Sequence, residues 1–324
     1  MLTLPYLQAL RRRQPSGTTL DFLTREEVAD VPKCITLFDE VFEIGGGRNA
    51  RLQLLSTLML LPKLRQRKYD VVLDLQRNRV SRLVRSVLRP AAWSEFDRFS
   101  PELAGERTRK TIEAVGLGPL DVYPDLELSD PDAGVATLRD AGWDGESDLV
   151  VLNPAGAFED RSWPLESYAE FASMWLDRAQ RASQFVVVGL PSLAAKAETL
   201  RARLGDSILN LVGRTAAGVA FAVVSRARLV ISEDSGLMHM AWVAGVPTLG
   251  LFGASRAVWA SPHGNYSECL DVCERPDGAC MSGSCRRGSP PCLKDLTAES
   301  VLERALPLVR RIDAQRKVIF ESRG

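Results

Sequence analysis

A loop of four residues, Glu-Asp-Ser-Gly at 233–236, carries the side chains best suited to chemistry in this sequence. It follows the apolar run 227–232 and precedes a helical pattern, so we expect it at the carboxyl end of a strand, where parallel sheets bind ligands. Asp234 or Ser235 would cap the helix, and Gly236 would let a ligand approach the backbone closely. Because the N–H groups of the first helical turn bind anions, the loop predicts a phosphate or diphosphate site.

His239 lies four residues after Ser235, and residues four apart share one face of a helix. We therefore expect it to face whatever the start of this helix holds. On spacing alone a plainer interpretation is favoured, in which the helix is a capped core element and His239 makes one internal hydrogen bond.

A second loop, again between a strand pattern and a helical pattern, changes that balance. Asn153 ends the strand pattern, and the small residues at 155–157 permit a ligand to approach the backbone. Arg161 offers a fixed positive charge with a fork of donors suited to phosphate oxygens. Pro164 fits the first position of the following helix. Two such loops in one chain favour an anion-binding site. They make it less favoured that Arg161 is only a solvated loop residue and that His239 is only a core residue.

The elements that must position these loops are predicted by hydrophobic patterning. Short β-branched apolar runs alternate with amphipathic segments, which is typical of parallel sheets covered by helices on both faces. The predicted strands are 18–23, 41–44, 69–75, 91–96, 149–153, 185–189, 208–212, 229–232, 247–252 and 268–272, and the predicted helices include 50–66, 77–88 and 164–181. The acidic, turn-rich segment 126–148 separates two such arrays. The predicted fold is α/β, with two Rossmann-like doubly wound parallel-sheet domains, 1–140 and 141–324, that face each other across a cleft.

Composition narrows the class of protein. The 324 residues suggest two domains, and 45% hydrophobic with 25% charged residues is the balance of a soluble globular protein. The 41 basic residues equal the 41 acidic ones, so no global charge favours nucleic-acid binding. No apolar run approaches the roughly 18–20 residues of a membrane span. The N-terminal residues have the wrong charge order for a secretory signal, so a cytoplasmic location is expected.

Five cysteines crowd into the segment 269–292 of the second predicted domain: Cys269, Cys273, Cys280, Cys285 and Cys292. Their number is odd, and their spacings lack the paired Cys-x-x-Cys of most zinc sites. Disulfides are disfavoured in a reducing cytoplasm. We therefore expect free thiols in a surface loop and no metal, with a C-terminal helix after the loop.

Together the two loops resemble the pattern of glycosyltransferase family 9, the lipopolysaccharide heptosyltransferases. The residues that carry the resemblance are Asn-Pro-Ala-Gly-Ala to Trp-Pro at 153–164, Glu-Asp-Ser-Gly to Phe-Gly at 233–253, and Trp-Ala-Ser-Pro-His-Gly at 259–264. The resemblance extends over roughly 149–310. It implies a GT-B-like fold, with a nucleotide-sugar donor held mainly by the second domain.

The resemblance also implies a role for each loop residue. Ser235 and Gly236 would donate hydrogen bonds to the donor diphosphate, and Arg161 would neutralise that group as it leaves. Asp234 would bond sugar hydroxyls or cap the helix, since a carboxylate repels phosphate. No metal and no cofactor is implied, because a helix dipole and a guanidinium stabilise the leaving diphosphate. The full implied donor set is Asn153, Gly156, Ala157, Arg161, Asp234, Ser235, Gly236 and His239.

The N-terminal half departs from the family pattern. Family members begin with a strand followed by Gly-Asp, whose Asp is the expected general base for the acceptor hydroxyl. This chain begins with a segment that resembles the residues just after Gly-Asp, so the first strand and the base are expected to be missing through a start placed too late. Such a loss would leave a neighbouring strand unpaired. Asp74, which ends the run Val-Val-Leu-Asp-Leu, is the substitute base that the sequence offers.

Acceptor binding is expected in the first domain. Arg77 and Asn78 follow the strand that ends near Asp74, and Arg82 lies one turn further along a helix rich in arginine. A patch of this kind suits an anionic glycolipid core with carboxylates and phosphates. A solvated basic helix face explains Arg82 equally well. Loose association with the inner membrane face is a further expectation, although no segment of the sequence singles it out.

Three other functions remain open on the sequence alone. Gly45–Ala50 fits a dinucleotide-binding glycine loop, and Asp74 ends a following strand, so an NAD-dependent oxidoreductase is one alternative. A sugar-nucleotide-binding homologue without catalysis is the second, because the expected base is absent. A nucleotide-sugar epimerase of GT-B shape is the third, although the Asp-Ser-Gly-x-x-His loop fits a transferase better.

Overall fold

The computed structural model describes residues 1–123, 126–156, 162–272 and 293–321. It divides into two compact units, residues 2–129 and residues 130–324. Each unit alternates strands with helices, as the apolar runs predict.

The first unit holds four strands among its described residues, arranged as two separate parallel pairs, β1 with β2 and β3 with β4. Within the described residues, β1 and β3 are therefore each bonded to a strand on one side only. The elements are α1 (Leu4–Arg13), β1 (Asp21–Arg25), α2 (Asp30–Lys33), β2 (Glu40–Ile44), α3 (Ala50–Gln66), β3 (Val71–Asp74), α4 (Arg79–Leu88), β4 (Ala92–Glu95) and α5 (Ala104–Glu113).

The second unit is built on a six-stranded parallel sheet with the order β10-β9-β8-β5-β6-β7. The chain runs outwards from β5 to β7, then returns past β5 and runs outwards again from β8 to β10. The elements are α6 (Asp132–Asp140), β5 (Asp148–Asn153), α7 (Leu165–Arg178), β6 (Ser183–Gly189), α8 (Ala194–Leu204), β7 (Ile208–Val212), α9 (Ala217–Ser225), β8 (Leu229–Glu233), α10 (Gly236–Val243), β9 (Thr248–Phe252), α11 (Ala257–Ala260), β10 (Ser267–Asp271) and α12 (Ala298–Glu321).

Both faces of this sheet are covered, which explains its nearly continuous apolar strands. Along β5, Val150 and Leu152 face a core that includes Phe171 of α7 and Leu302 of α12. The alternating residues of the same strand, such as Val151, face a second core formed with α6, α9 and α10. Helix α6 packs against α9, so it belongs to the second unit.

Two helix starts differ from the sequence prediction. The helix predicted from residue 77 begins at Arg79, because Arg77 has a left-handed φ of 51° and Asn78 is the N-cap. Pro164 is not the first residue of α7 but its extended N-cap, with ψ 141°, and the helix begins at Leu165. The helix predicted over 50–66 has the same bounds in α3.

Candidate functional site

The two loops singled out by the sequence follow adjacent strands of the six-stranded sheet. β5 and β8 pair in parallel, and Asn153 at the end of β5 is opposite Ser232 of β8. The chain leaves these two strands in opposite directions across the sheet, so their carboxyl ends form a topological switch point. Open α/β sheets bind ligands at such points, because the following loops diverge and leave a crevice.

A small hydrogen-bond network joins the two loops. The Nδ2 of Asn153 donates to the hydroxyl oxygens of Ser232 at 2.8 Å and Ser235 at 2.6 Å. The Ser235 hydroxyl also accepts from the backbone N–H of Met238 at 3.2 Å, so Ser235 caps helix α10. Of the two predicted caps, the structure selects Ser235. A single hydroxyl thus fixes both the start of the helix and its position beside Asn153.

The first turn of α10 has room for a ligand at its backbone. A β-carbon placed on Gly236 would meet no described atom within 4 Å. The N–H of Met238 is used by the cap, which leaves the earlier N–H groups of the turn directed outwards with the positive end of the helix dipole. This is the geometry of an anion-binding helix terminus.

Two buried polar atoms beside this turn have no hydrogen-bond partner among the described residues, Oδ1 of Asn153 and Nδ1 of His239. Burial lowers the pKa of His239 to about 4, so its imidazole is neutral at physiological pH. Its Nε2 lies 3.9 Å from Oδ1 of Asp234, too far for a hydrogen bond. His239 therefore offers a ligand a neutral donor and acceptor.

Asp234 is half-buried beside His239. Burial raises the pKa of its carboxyl, and a hydrogen bond from Ser255 opposes that rise. The cap role predicted for Asp234 falls to Ser235 instead, so the Asp234 carboxylate is available for hydroxyl groups of a ligand.

Glu233 is a buried acid that the sequence analysis did not assign to the site. It ends β8, is 3% exposed, and its Oε1 lies 3.3 Å from the hydroxyl of Tyr168. Burial raises the pKa of Glu233 to about 7, against the lowering effects of Ser162, Lys196 and the Tyr168 hydroxyl. A β-carbon on Gly156 would stand 2.0 Å from Oε2 of Glu233, so Gly156 is needed for this packing.

Lys196 of α8 is a second residue missed from the sequence. Its ammonium donates to the carbonyl oxygen of Pro154 at 3.1 Å and lowers the pKa of Glu233 by its charge. It brings a cation to the loop that starts at Asn153. A lone lysine in a helical pattern carries no sequence signal of this, because its partner carbonyl is some 40 residues away along the chain.

The tryptophans of the two motifs are structural anchors. The indole N–H of Trp163 donates to the carbonyl of Leu296 at 2.7 Å, and that of Trp242 donates to the carbonyl of His263 at 2.7 Å. Both side chains are buried. They tie the two motif loops to neighbouring segments of the second unit.

Some of the predicted residues lie outside the described part of the chain. These are Ala157 and Arg161 of the first loop, together with Cys273, Cys280, Cys285 and Cys292. Cys269 is described, makes no disulfide, and burial raises its pKa to about 12. Within the described residues, no group of three or more side chains has the composition of a metal site, and no helix is long and apolar enough to cross a membrane.

In the first unit, the predicted acceptor residues are engaged in ion pairs. Arg77 Nε lies 3.1 Å from Glu95, and Arg82 Nε lies 3.3 Å from the same carboxylate. Arg85 also donates to Glu95 at 2.7 Å, and this bond is the main reason why the pKa of Glu95 is lowered. Asn78 caps α4 in a reciprocal pair with Ser81. Their role in acceptor binding stays a prediction.

Asp74 is buried and bonded through both oxygens. Oδ1 accepts from the backbone N–H groups of Gln76 at 3.2 Å and Arg77 at 2.7 Å, while Oδ2 accepts from the hydroxyl of Ser81 at 3.0 Å. Arg85 lies 3.7 Å from Oδ2. This bonding orders the loop between β3 and α4, including the left-handed Arg77.

The glycine loop considered for NAD is satisfied by the protein itself. The N–H groups of Gly46 and Gly47 donate to Oε1 of Glu26 at 2.9 and 3.0 Å, and the N–H of Gly45 donates to Ser56 at 2.8 Å. A carboxylate of this chain thus occupies the position that a pyrophosphate would need. The geometry does not favour a dinucleotide at this loop.

Comparison with known proteins gives a family match over the region of these motifs. The family described as glycosyltransferase family 9 (heptosyltransferase) matches residues 102–289, more than half of the chain. Lipooligosaccharide heptosyltransferase 2 of Haemophilus influenzae is 24% identical over 172 residues, which are 52% of this chain and 49% of that protein. The chain spans about half the length of the first curated relatives it matches.

Two solved structures resemble the whole chain. A glycosyl transferase family 9 protein from Veillonella parvula matches with a TM-score of 0.81 and 18% identity, covering 95% of this chain and 93% of its own. Escherichia coli heptosyltransferase WaaC with ADP matches with a TM-score of 0.67 and 17% identity, covering 95% of each chain. These likenesses concern the fold, and they confirm the predicted α/β, GT-B-like class.

Proposed function

This chain belongs to glycosyltransferase family 9, and on that premise we propose that it is an inverting glycosyltransferase. It transfers a sugar from a nucleoside diphosphate sugar to an acceptor of the lipopolysaccharide core type. The proposed donor is ADP-heptose, because WaaC, a protein of similar fold, is described with ADP and with ADP-2-deoxy-2-fluoro heptose. The observation that carries the proposal is the Asn153–Ser235–α10 arrangement at the switch point of the second unit.

The start of α10 supports a diphosphate. Its outward N–H groups and the hydroxyl of Ser235 offer donors, and the open space at Gly236 lets the phosphate oxygens approach the backbone. In the transfer step, an acceptor hydroxyl oxygen bonds to the anomeric carbon and gives up its proton to solvent, while the bond from that carbon to the diphosphate breaks. The electron pair passes to the diphosphate, where the helix terminus stabilises the negative charge. Arg161 is proposed to add a guanidinium to this group.

The remaining donor residues suit the sugar and its linkage. His239 is neutral, so its ring can donate a hydrogen bond to a sugar hydroxyl or accept one from it. An uncharged ring does not form an ion pair with the phosphate groups. Asp234 accepts from sugar hydroxyls, and Oδ1 of Asn153 accepts one further hydrogen bond. Glu233 and Lys196 hold the 153–156 loop in place, Glu233 by packing against Gly156 and Lys196 by its bond to the Pro154 carbonyl.

The acceptor is proposed to be an anionic glycolipid bound by the first unit through Arg77, Asn78 and Arg82. Asp74 is proposed to order the loop that presents Arg77, since both of its oxygens already accept hydrogen bonds. Work on such an acceptor suits a cytoplasmic protein that associates with the membrane face where the glycolipid is made. No nucleic acid and no metal takes part in this proposal.

The proposal is tested by thermal stabilisation of the full chain with ADP, UDP, GDP and NAD. We expect a saturable rise in melting temperature with one nucleoside diphosphate, reduced in Arg161→Ala and in Ser235→Ala. Ser225→Ala is the matched control, because among the described residues its hydroxyl bonds to the Phe221 carbonyl within α9, away from α10. A rise with NAD alone, equal in all variants, would overturn the proposal in favour of the oxidoreductase.

Turnover separates the transferase from a binding protein without catalysis. Release of the nucleoside diphosphate from the sugar nucleotide, dependent on a lipopolysaccharide core acceptor, is the expected result. Nucleotide binding with no acceptor-dependent release would support the non-catalytic homologue.

A further inference from the structure

Helix α3 of the first unit presents an apolar face that no described residue covers. Five of its side chains are between 43% and 76% exposed, although all are large and hydrophobic: Leu52, Leu54, Leu55, Leu58 and Met59. The opposite face, with Thr57 and Leu64, is buried against the rest of the unit. We refer to the five exposed side chains as the α3 apolar face.

The α3 apolar face is continuous. Leu58 and Met59 lie three and four residues after Leu55, and Leu52 and Leu54 extend the patch by one turn. Single exposed apolar residues are ordinary, but a contiguous patch on one helix marks an interaction surface. Asn49 caps the start of this helix, and its side-chain oxygen accepts from the N–H groups of Arg51 and Leu52.

The charged residues of α3 and of the residues that flank it in the sequence all have the same sign. Between residues 44 and 69 the sequence contains no Asp or Glu, while Arg48, Arg51, Lys63, Arg65, Arg67 and Lys68 are all basic. Lys63 and Arg67 pair with Glu40. Arg48, Arg51 and Arg65 are exposed, and none of them has an ion-pair partner among the residues that the structure describes.

We propose that the α3 apolar face docks this protein on an anionic phospholipid bilayer. The leucines and Met59 enter the boundary between headgroups and acyl chains, and Arg48, Arg51 and Arg65 lie at the level of the lipid phosphates. Arginine suits this position because its apolar stem follows the acyl region while its guanidinium reaches the phosphates. The inference rests on the proposed function only in that a lipid-linked acceptor lies in such a membrane.

Charge complementarity favours a bilayer over a second copy of this chain. A twofold contact between two copies of α3 would bring the same face of two molecules together, so the unpaired Arg51 and Arg65 of each would meet a helix that contains no acidic residue. An anionic bilayer instead supplies hydrocarbon for the exposed leucines and Met59 and phosphate for the unpaired arginines.

The test is cosedimentation of the full chain with vesicles, in the absence of nucleotide. One set of vesicles contains equimolar phosphatidylcholine and phosphatidylglycerol, and the other contains phosphatidylcholine alone. We expect binding to the anionic vesicles that weakens with salt. Leu55→Ser combined with Leu58→Ser should lower the partition coefficient by about 10- to 100-fold. Arg51→Gln combined with Arg65→Gln should lower it by about fivefold for each arginine removed.

The matched control is Leu176→Ser combined with Leu190→Ser, which replaces two exposed leucines of the second unit and should leave vesicle binding unchanged. Unfolding curves of all variants verify that each is folded. Equal binding by the wild-type protein and the Leu55/Leu58 variant, or no binding of the wild type to anionic vesicles, would overturn the inference. A dimer in sedimentation experiments that the same variant abolishes would assign the face to a second copy instead.

The outcome is independent of the donor site. The Leu55/Leu58 variant should keep the melting-temperature rise with the nucleoside diphosphate, because its substitutions lie in the first unit. Vesicle binding without a melting-temperature rise from any nucleotide would support the docking surface and contradict the proposed function. A melting-temperature rise without vesicle binding would support the proposed function and contradict the docking surface.

Discussion

Replacing Glu233 by Gln should remove a pH-dependent part of the free energy of unfolding. The Glu233 carboxyl is buried, and its pKa rises from 4.5 to about 7 on folding. Because the folded state binds this proton more tightly than the unfolded chain, the contribution is fully present below about pH 4.5 and is lost as the pH rises through about 7. At about 1.4 kcal/mol for each tenfold change in proton affinity, the total is about 3 kcal/mol.

The assay is the melting temperature of the wild-type protein and of Glu233→Gln, measured from about pH 5 to about pH 8. For a unit of this size, 1 kcal/mol corresponds to about 2–4 °C, so the difference between the two curves should change by about 5–10 °C over that range. The wild type is expected to lose stability relative to the variant as the pH rises. Glu170→Gln, an exposed acid on α7, is the control and should run parallel to the wild type.

Parallel curves for the wild type and Glu233→Gln would refute this reasoning. They would mean that Glu233 is ionised in the folded protein at all of these pH values, held by Lys196. A difference of opposite sign would mean that the salt interaction outweighs the cost of burial.

Three further predictions concern the donor site. Gly156→Ala should destabilise the protein by about 1–3 kcal/mol, because its β-carbon would meet Glu233. Gly236→Ala should keep the melting temperature, because its β-carbon enters open space at the start of α10. The same β-carbon should weaken nucleoside diphosphate binding, because it occupies the space proposed for the ligand. Denaturant unfolding measures the stability of both variants, and calorimetric titration measures their affinity for the nucleoside diphosphate. Equal stability and equal affinity of the two variants would contradict the different roles given to Gly156 and Gly236. Ser235→Ala should cost about 1 kcal/mol through loss of the cap, and Ser225→Ala should stay within about 0.5 kcal/mol of the wild type in the same unfolding experiment. The proton resonances of the His239 imidazole should not titrate above about pH 5, since burial lowers its pKa to about 4; a midpoint near its ordinary value would show that the ring is solvated.

Much of the second unit could be predicted from the sequence. The runs around Val150, Val187 and Val230 are apolar at every position because both faces of the sheet are covered, and such runs are bounded clearly by polar turns. The position of the Asp-Ser-Gly loop followed from the same pattern. The sequence alone does not distinguish Ser235 from Asp234 as the cap, since both residue types cap helices equally well; in the structure the cap is Ser235.

What could not be predicted are contacts between residues far apart in sequence. Glu233 looks like one more acid in a loop, and its burial depends on Gly156 and Tyr168 of another segment. The arginines of α4 suggested an open basic patch, yet Glu95 of β4 pairs with Arg77, Arg82 and Arg85. The apolar outer face of α3 is missed as well, because the segment 50–66 is interpreted as amphipathic, whereas this helix carries leucines on most sides.

The described residues of the proposed donor site all lie in the second unit. Asn153 ends β5, and Ser235 caps α10 just after the neighbouring strand β8. Glu233, Lys196 and His239 lie in the same unit. The acceptor candidates Arg77, Asn78 and Arg82 are encoded in a separate stretch of the gene. Under the proposed function, mutation and recombination can therefore alter the choice of acceptor while the proposed nucleotide site is inherited unchanged. In evolutionary terms, a glycosyltransferase with this arrangement could extend different glycans while it keeps the same proposed sugar donor.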